Sequence, residues 1–178
     1  MKVTENNGFW KGENVFFVAA LALYASCWFL PIIDGHVGFD GAREAHVAFW
    51  KLLKGEYTVD SPTKIFEIIF ISIGWLANEL FVLGIVLLRM RPVFAVRCIA
   101  FSLGIMISWQ VAMDEFPLLI GYWFWVVSGA IMLYFVANTL SHESGRAIKA
   151  IIVEPVTLSL LLFPVANVAV GVITGMKL

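Results

Sequence analysis

Five apolar runs, each about 20 residues or longer, dominate this chain: Asn14–Ile33, Ile65–Met90, Val93–Met113, Leu118–Leu140 and Ala150–Met176. A run of that length crosses roughly 30 Å of hydrocarbon at about 1.5 Å per residue, and where no water reaches the backbone only a helix satisfies its own N–H and C=O groups. The pattern predicts an all-α fold: a polytopic membrane helix bundle of four to five transmembrane helices, one domain over residues 1–178. Glu154, Pro155 and Pro164 interrupt the fifth run, so it is the span most exposed to kinking or re-entry. Composition agrees, with 61% hydrophobic and 14% charged residues against roughly 45–50% and 25% in soluble domains. The net charge of −1, with no basic cluster, gives no footprint for a nucleic-acid partner; the lipid bilayer is the partner that composition names.

Positive charge orients the bundle. The turn "RMRPVFAVR" carries Arg89, Arg91 and Arg97, whereas "MDEFP" carries Asp114 and Glu115 and no cation. The first turn is therefore expected inside and the second outside, with a cytoplasmic N-terminus and an external loop over 34–64. The first run continues through "WFLPII" behind an acidic start at Glu5 and Glu13, which reads as an uncleaved helix rather than a signal peptide. Trp28, Trp109, Trp123 and Trp125 all fall at the outer helix ends, the depth of an aromatic belt.

One stretch resists the apolar pattern. In "GWLANELFVLG" a carboxylate sits mid-run, and at about 100° per residue Glu67, Ser72, Trp75, Asn78 and Glu79 share one side of the second helix, with Phe81 and Leu88 opposite. The polar side is expected to face the bundle interior and the other side lipid. Glu79 lies roughly 22 Å along the axis from Lys64 and 15 Å from Arg89, beyond reach of either interface. Reflecting the second and third helices about their turn sets Glu79 level with Gly104, where no cation stands. The simplest state is a protonated Glu79 hydrogen-bonded to Ser102, Ser108 or Tyr134, and an intramembrane acid is a functional-site candidate by default.

Two features mark the outer end. Over about 40–54, Ala45, Phe49, Leu52 and Leu53 gather on one side of a helix while Arg43, Lys51 and Lys54 reach away, an interfacial amphipathic helix with Trp50 at headgroup depth. Asp34, His36, Glu67, Asp114 and Glu115 converge there as an external cation site, although their spacing matches no metal-binding loop and solvated acids are the simpler reading. Cys27 and Cys98 are isolated and lie near opposite faces, so thiol–disulfide exchange has no second thiol within reach. His36, His46 and His142 fall in loops and do not suit haem. No catalytic signature, cofactor motif or metal motif is present in the sequence, and the expectation is a protein that is not an enzyme.

"FLP" (Phe29 to Pro31), "WLAN" (Trp75 to Asn78) and "GYWFWVVS" (Gly121 to Ser128) resemble the Leu-Pro, Trp-x-Ala-Asn and Gly-Tyr-aromatic-x-Trp-x-x-Ser series of a loose group of small bacterial inner-membrane proteins of unassigned function, over roughly residues 28–135. The resemblance implies the inner membrane and a compact bundle, and no activity; members of that group stop after four helices. Small size, no large soluble part and an exposed amphipathic helix point to a non-catalytic protein that binds another protein, as an accessory subunit or an immunity or exclusion factor. The alternative is a small transporter or channel component, working as a homo-oligomer around Glu79.

Overall fold

A computed structural model describes residues 9–33, 36–56, 62–112 and 118–173, with side chains over 15–32, 36–56, 72–109, 118–142 and 144–169. The described chain is almost wholly helical: α1 (Phe9–Cys27), α2 (Gly38–Lys54), α3 (Pro62–Leu87), α4 (Pro92–Ala112), α5 (Ile120–Ser144), α6 (Ile148–Ile152) and α7 (Pro155–Ile173). Two of these are long and apolar enough to cross a membrane, α4 over Pro92–Trp109 and α5 over Ile120–His142; Val15–Cys27, Ser72–Leu87 and Pro155–Ala169 are shorter apolar stretches.

Helix boundaries depart from the sequence pattern, beginning with α1, which starts at Phe9 and not Asn14. The first helix ends at Cys27, not Ile33, because Pro31 cannot extend it; Pro31–Ile33 (β1) instead pairs antiparallel with His36–Val37 (β2). The fourth run continues past Leu140 to Ser144 and stops where Gly145 takes a left-handed φ of 68°, a conformation glycine adopts without a Cβ penalty. The fifth run divides at Val153 and Glu154 into α6 and α7.

The α7 start shows why a carboxylate and a proline stand together there. Pro155 occupies the first helical position, where its missing N–H costs nothing. Glu154 caps the helix: its Oε2 accepts the Thr157 N–H at 3.2 Å and the Thr157 hydroxyl at 2.9 Å, and its Oε1 accepts Arg97 Nη2 of α4 at 3.3 Å. The Thr157 hydroxyl foremost, with the Thr157 N–H and the Arg97 guanidinium, holds the Glu154 carboxyl below its ordinary range against the opposing pull of burial. Pro164, inside α7, leaves the Leu160 carbonyl without its intrahelical donor. A Cβ on Gly104 of α4 would stand 3.2 Å from that oxygen and closer still to the Leu161 carbonyl, so only glycine lets the two backbones approach.

α4 is the centre of the assembly, packed on α3, α5 and α7, while α1 packs on α5 and α2 on α3. Ala95, Val96, Ile99, Ala100, Ile105 and Met106 of α4 are buried, which explains how so apolar a helix avoids needing a polar face. α3 and α4 run antiparallel, with Gly74 against Trp109 and Gly84 against Ile99, the register that sets residue 79 level with 104. The buried seam of α3 is Gly74, Ala77, Phe81 and Gly84, a three-and-four spacing of mostly small residues that draws α4 close.

Candidate functional site

Adjacent residues on a helix diverge by about 100°, and Asn78 and Glu79 use that divergence to face different surroundings. Asn78 points into the protein. Its Oδ1 accepts the Tyr24 hydroxyl of α1 at 3.0 Å and the Trp125 indole N–H of α5 at 3.1 Å. An indole N–H can only donate, so the amide orientation is fixed: oxygen to the two donors, NH2 away from them. One side chain thereby ties together three helices far apart in sequence.

Glu79 is exposed on the protein's outer surface, and Val82, Leu83 and Val86 continue the same exposed face. The expected hydrogen-bond partners are engaged elsewhere: Ser102 donates to the Ala77 carbonyl at 2.7 Å, Ser108 to the Ile105 carbonyl at 2.6 Å, and Tyr134 is exposed beside Phe16. The expectation of one inward polar side and one lipid side is thus corrected. Ser72 is buried, Trp75 and Asn78 are half-buried, and Glu79 faces out, whereas Phe81, expected outside, is fully buried and stacked on Tyr24 with ring centroids 4.3 Å apart. The physical reason is the small-residue seam: close approach of α4 at Gly74, Ala77 and Gly84 decides which side is covered, and Phe81 lies on that side. The side chain of Glu67 lies outside the described residues.

Above Asn78 is a cavity of about 60 Å³. Its walls are Trp28 beyond the end of α1, Trp109 from α4, Tyr122 and Trp125 from α5, and Asn78 and Gly74 from α3, with Gly41, Ala42 and Ala45 of α2 lining it from above. Gly74 makes room for the Trp109 ring, since a Cβ there would meet the indole at 2.5 Å. Gly38 lets α2 begin against the last turn of α1, where a Cβ would collide with the Cys27 carbonyl. The expected aromatic belt is corrected accordingly: Trp28, Trp109 and Trp125 line the cavity, and of the four tryptophans Trp123 is the exposed one.

The amphipathic helix forms over Gly38–Lys54, but its apolar side divides. Ala45 and Ala48 are buried, and Phe49 packs on Trp75 of α3 at 4.7 Å with His46 against the same ring at 5.2 Å. Trp50, Leu52 and Leu53 remain exposed. α2 is thus a lid seated on α3, and the histidine expected in a loop belongs to its seat. Of the expected cation site, Asp34, Asp114 and Glu115 lie outside the described residues, as does the Glu67 side chain; His36 Nδ1 approaches Glu44 at 3.9 Å. Among the described residues no group of three or more metal-ligating side chains gathers. Cys27 donates to the Tyr24 carbonyl at 2.9 Å, and both cysteines are free thiols.

The sequence pattern missed the Asn78 junction because it assigned partners to the carboxylate and none to the amide. The signal was present: Tyr24 and Trp125 are the polar aromatics at the same depth once α1 and α5 are set antiparallel. The fold and the site define a class, an all-α protein with, among the described residues, two helices long and apolar enough to cross a membrane, and an aromatic cavity at one end. Set against protein-family models, curated proteins and solved structures, the chain matches none.

Proposed function

We propose that this is a multi-pass protein of the bacterial inner membrane, with α1, α3, α4, α5 and α7 spanning, α2 on the outer face and the N-terminus in the cytoplasm, that works without catalysis by binding another protein within the bilayer. The resemblance to small inner-membrane proteins belongs to this reading. One observation carries it: Glu79 stands on an exposed face otherwise made of Val82, Leu83 and Val86. In hydrocarbon, an acidic side chain turned to lipid costs about 2.5–3.5 kcal/mol on insertion scales. A partner helix that brings a hydrogen-bond donor or a cation to Glu79 removes that cost, and the flanking valines and leucine supply the packing surface. Glu79 lies outside the cavity lining, which favours partner binding over passage of a solute past this carboxylate.

Affinity purification from the native membrane in mild detergent tests the reading, with Glu79→Leu beside wild type. Wild type is expected to retain a stoichiometric partner that Glu79→Leu, which makes the face uniformly apolar, releases. A homo-oligomer dissolved by the same substitution would move the assignment to the alternative, a small transporter or channel component built from several copies. A monomer without a partner in both preparations would end the proposal.

A further inference from the structure

At the end of the molecule away from the aromatic cavity, the early turns of α4 and α7 and the joint between α5 and α6 leave a notch of about 40 Å³. Val96, Leu140 and Ile151 form its buried apolar floor, and Arg97, Arg146, Glu154 and Thr157 enter it. Two positive charges meet one negative charge there, and the pairing is uneven. Both Glu154 oxygens are engaged, Oε2 by the two Thr157 donors and Oε1 by Arg97 Nη2 at 3.3 Å. Arg97 is engaged less completely, since its Nε is buried without a hydrogen-bond partner among the described residues. Arg146 gives Nη2 to the Ala150 carbonyl at 3.3 Å and is otherwise exposed. A guanidinium carries five N–H groups in a planar fork that suits phosphate, so both arginines keep donors for an oxyanion. Arg89, Arg91 and Lys149 are exposed at the same end and strengthen its positive field. At roughly 10–15 Å³ for each water-sized centre, the notch admits about three oxygen atoms. That is the oxygen face of one phosphate group, with the rest of its carrier outside. The surface beside it is apolar: Phe94, whose ring centroid lies 6.0 Å from Arg97 Cζ, and Val153 and Val156 next to Glu154 are exposed.

We propose that the notch between Arg97 and Arg146 binds a phosphate group, supplied by the headgroup of an anionic phospholipid whose acyl chains lie along Phe94, Val153 and Val156. The lipid as source rests on the reading of α4 and α7 as spans, which sets Arg97, roughly 8 Å inside the start of α4 at Pro92, at the depth where headgroups meet acyl chains. Basic pockets between helices on the cytoplasmic side suit such headgroups. Glu154 limits the affinity, because it competes for Arg97 and repels the phosphate.

The intact protein in neutral detergent micelles is titrated with phosphatidylglycerol, with zwitterionic phosphatidylcholine and with glycerol 3-phosphate, and its melting temperature is followed by tryptophan fluorescence. Phosphatidylglycerol is expected to raise the melting temperature saturably, by about 3–6 °C at roughly tenfold its dissociation constant, and phosphatidylcholine to leave it unchanged. The concentration at half-saturation is the readout, so a variant with a lower starting stability still reports. Arg146→Gln should weaken binding about fivefold, and Glu154→Gln, which frees Arg97 and removes the repulsion, should tighten it by about the same factor. Arg91→Gln removes an exposed cation from the same end but outside the notch, and should change little. Equal responses to the two lipids, with none to glycerol 3-phosphate, would overturn the site. Equal weakening by Arg146→Gln and Arg91→Gln would also overturn it, since the effect would then be surface charge alone. A saturable rise with glycerol 3-phosphate and none with the lipid would keep the phosphate site and remove the bilayer as its source. No readout involves Glu79 or a protein partner, so failure here and failure of partner binding are separable.

Discussion

Asn78 is the residue on which three helices agree, and its energetics follow from what each partner can do instead. Interhelical hydrogen bonds in membranes measure about 0.6 kcal/mol on average and up to about 2, so losing both should cost about 1–3 kcal/mol. Asn78→Leu strands the Tyr24 hydroxyl and the Trp125 N–H together, whereas Tyr24→Phe removes one donor and leaves the amide oxygen still occupied by the other. Thermal unfolding in mild detergent should therefore show Asn78→Leu as the more damaging change, and Tyr24→Phe as nearly silent once Asn78 is already leucine. Strict additivity of the two substitutions would mean that the shared oxygen carries no coupling. At this scale the sequence was half legible. A polar pair inside an apolar run marked the site, but composition and helical angle could not say that the amide turns inward and the carboxylate outward, since that depends on where α4 approaches.

The elements read more clearly, because helix ends carry local chemistry. The turn between α3 and α4 is so short that reflecting the sequence about it gives the observed register, with Gly74 beside Trp109 and Gly84 beside Ile99. Less legible was the fifth run, where "VEPVT" looked like a broken span and is instead a helix start: Glu154 as cap, Pro155 at the first position and Thr157 returning two hydrogen bonds. The same carboxylate holds Arg97 of α4, so α7 is tied to α4 at its N-terminus as well as at Gly104. Its pH dependence follows from the direction of the shift. The folded state holds the Glu154 carboxyl below its ordinary range, so it contributes stability above the unfolded value of about 4.3 and loses that contribution as pH falls through the lower folded value. Melting temperatures measured from pH 7 down to about 3 should fall less steeply for Glu154→Gln than for wild type. Parallel curves would show that the Thr157 and Arg97 contacts do not select the ionised form.

For the whole molecule, the two ends are chemically distinct. The end of α1, the start of α5, the end of α4 and the lid α2 meet at the aromatic cavity. At the other end the starts of α4 and α7 meet the end of α5, where Arg97, Arg146, Glu154 and Thr157 surround a smaller pocket of about 40 Å³. The five apolar helices thus alternate in direction, and the Arg89–Arg91 turn belongs with the arginine end. Those charges favour the cytoplasm by the positive-inside bias. Arg43, Lys51 and Lys54 on α2 and Lys64 in the first turn of α3 oppose it and weaken the bias. The balance predicts an external lid, and labelling decides it. In intact cells a membrane-impermeant maleimide should reach Lys54→Cys on exposed α2 and should reach the exposed Arg91→Cys only after lysis, with Cys27 and Cys98 replaced by serine. The opposite pattern would put the cavity and its lid on the cytoplasmic side, and would make the basic residues of α2, not the turn after α3, the charges that orient the chain.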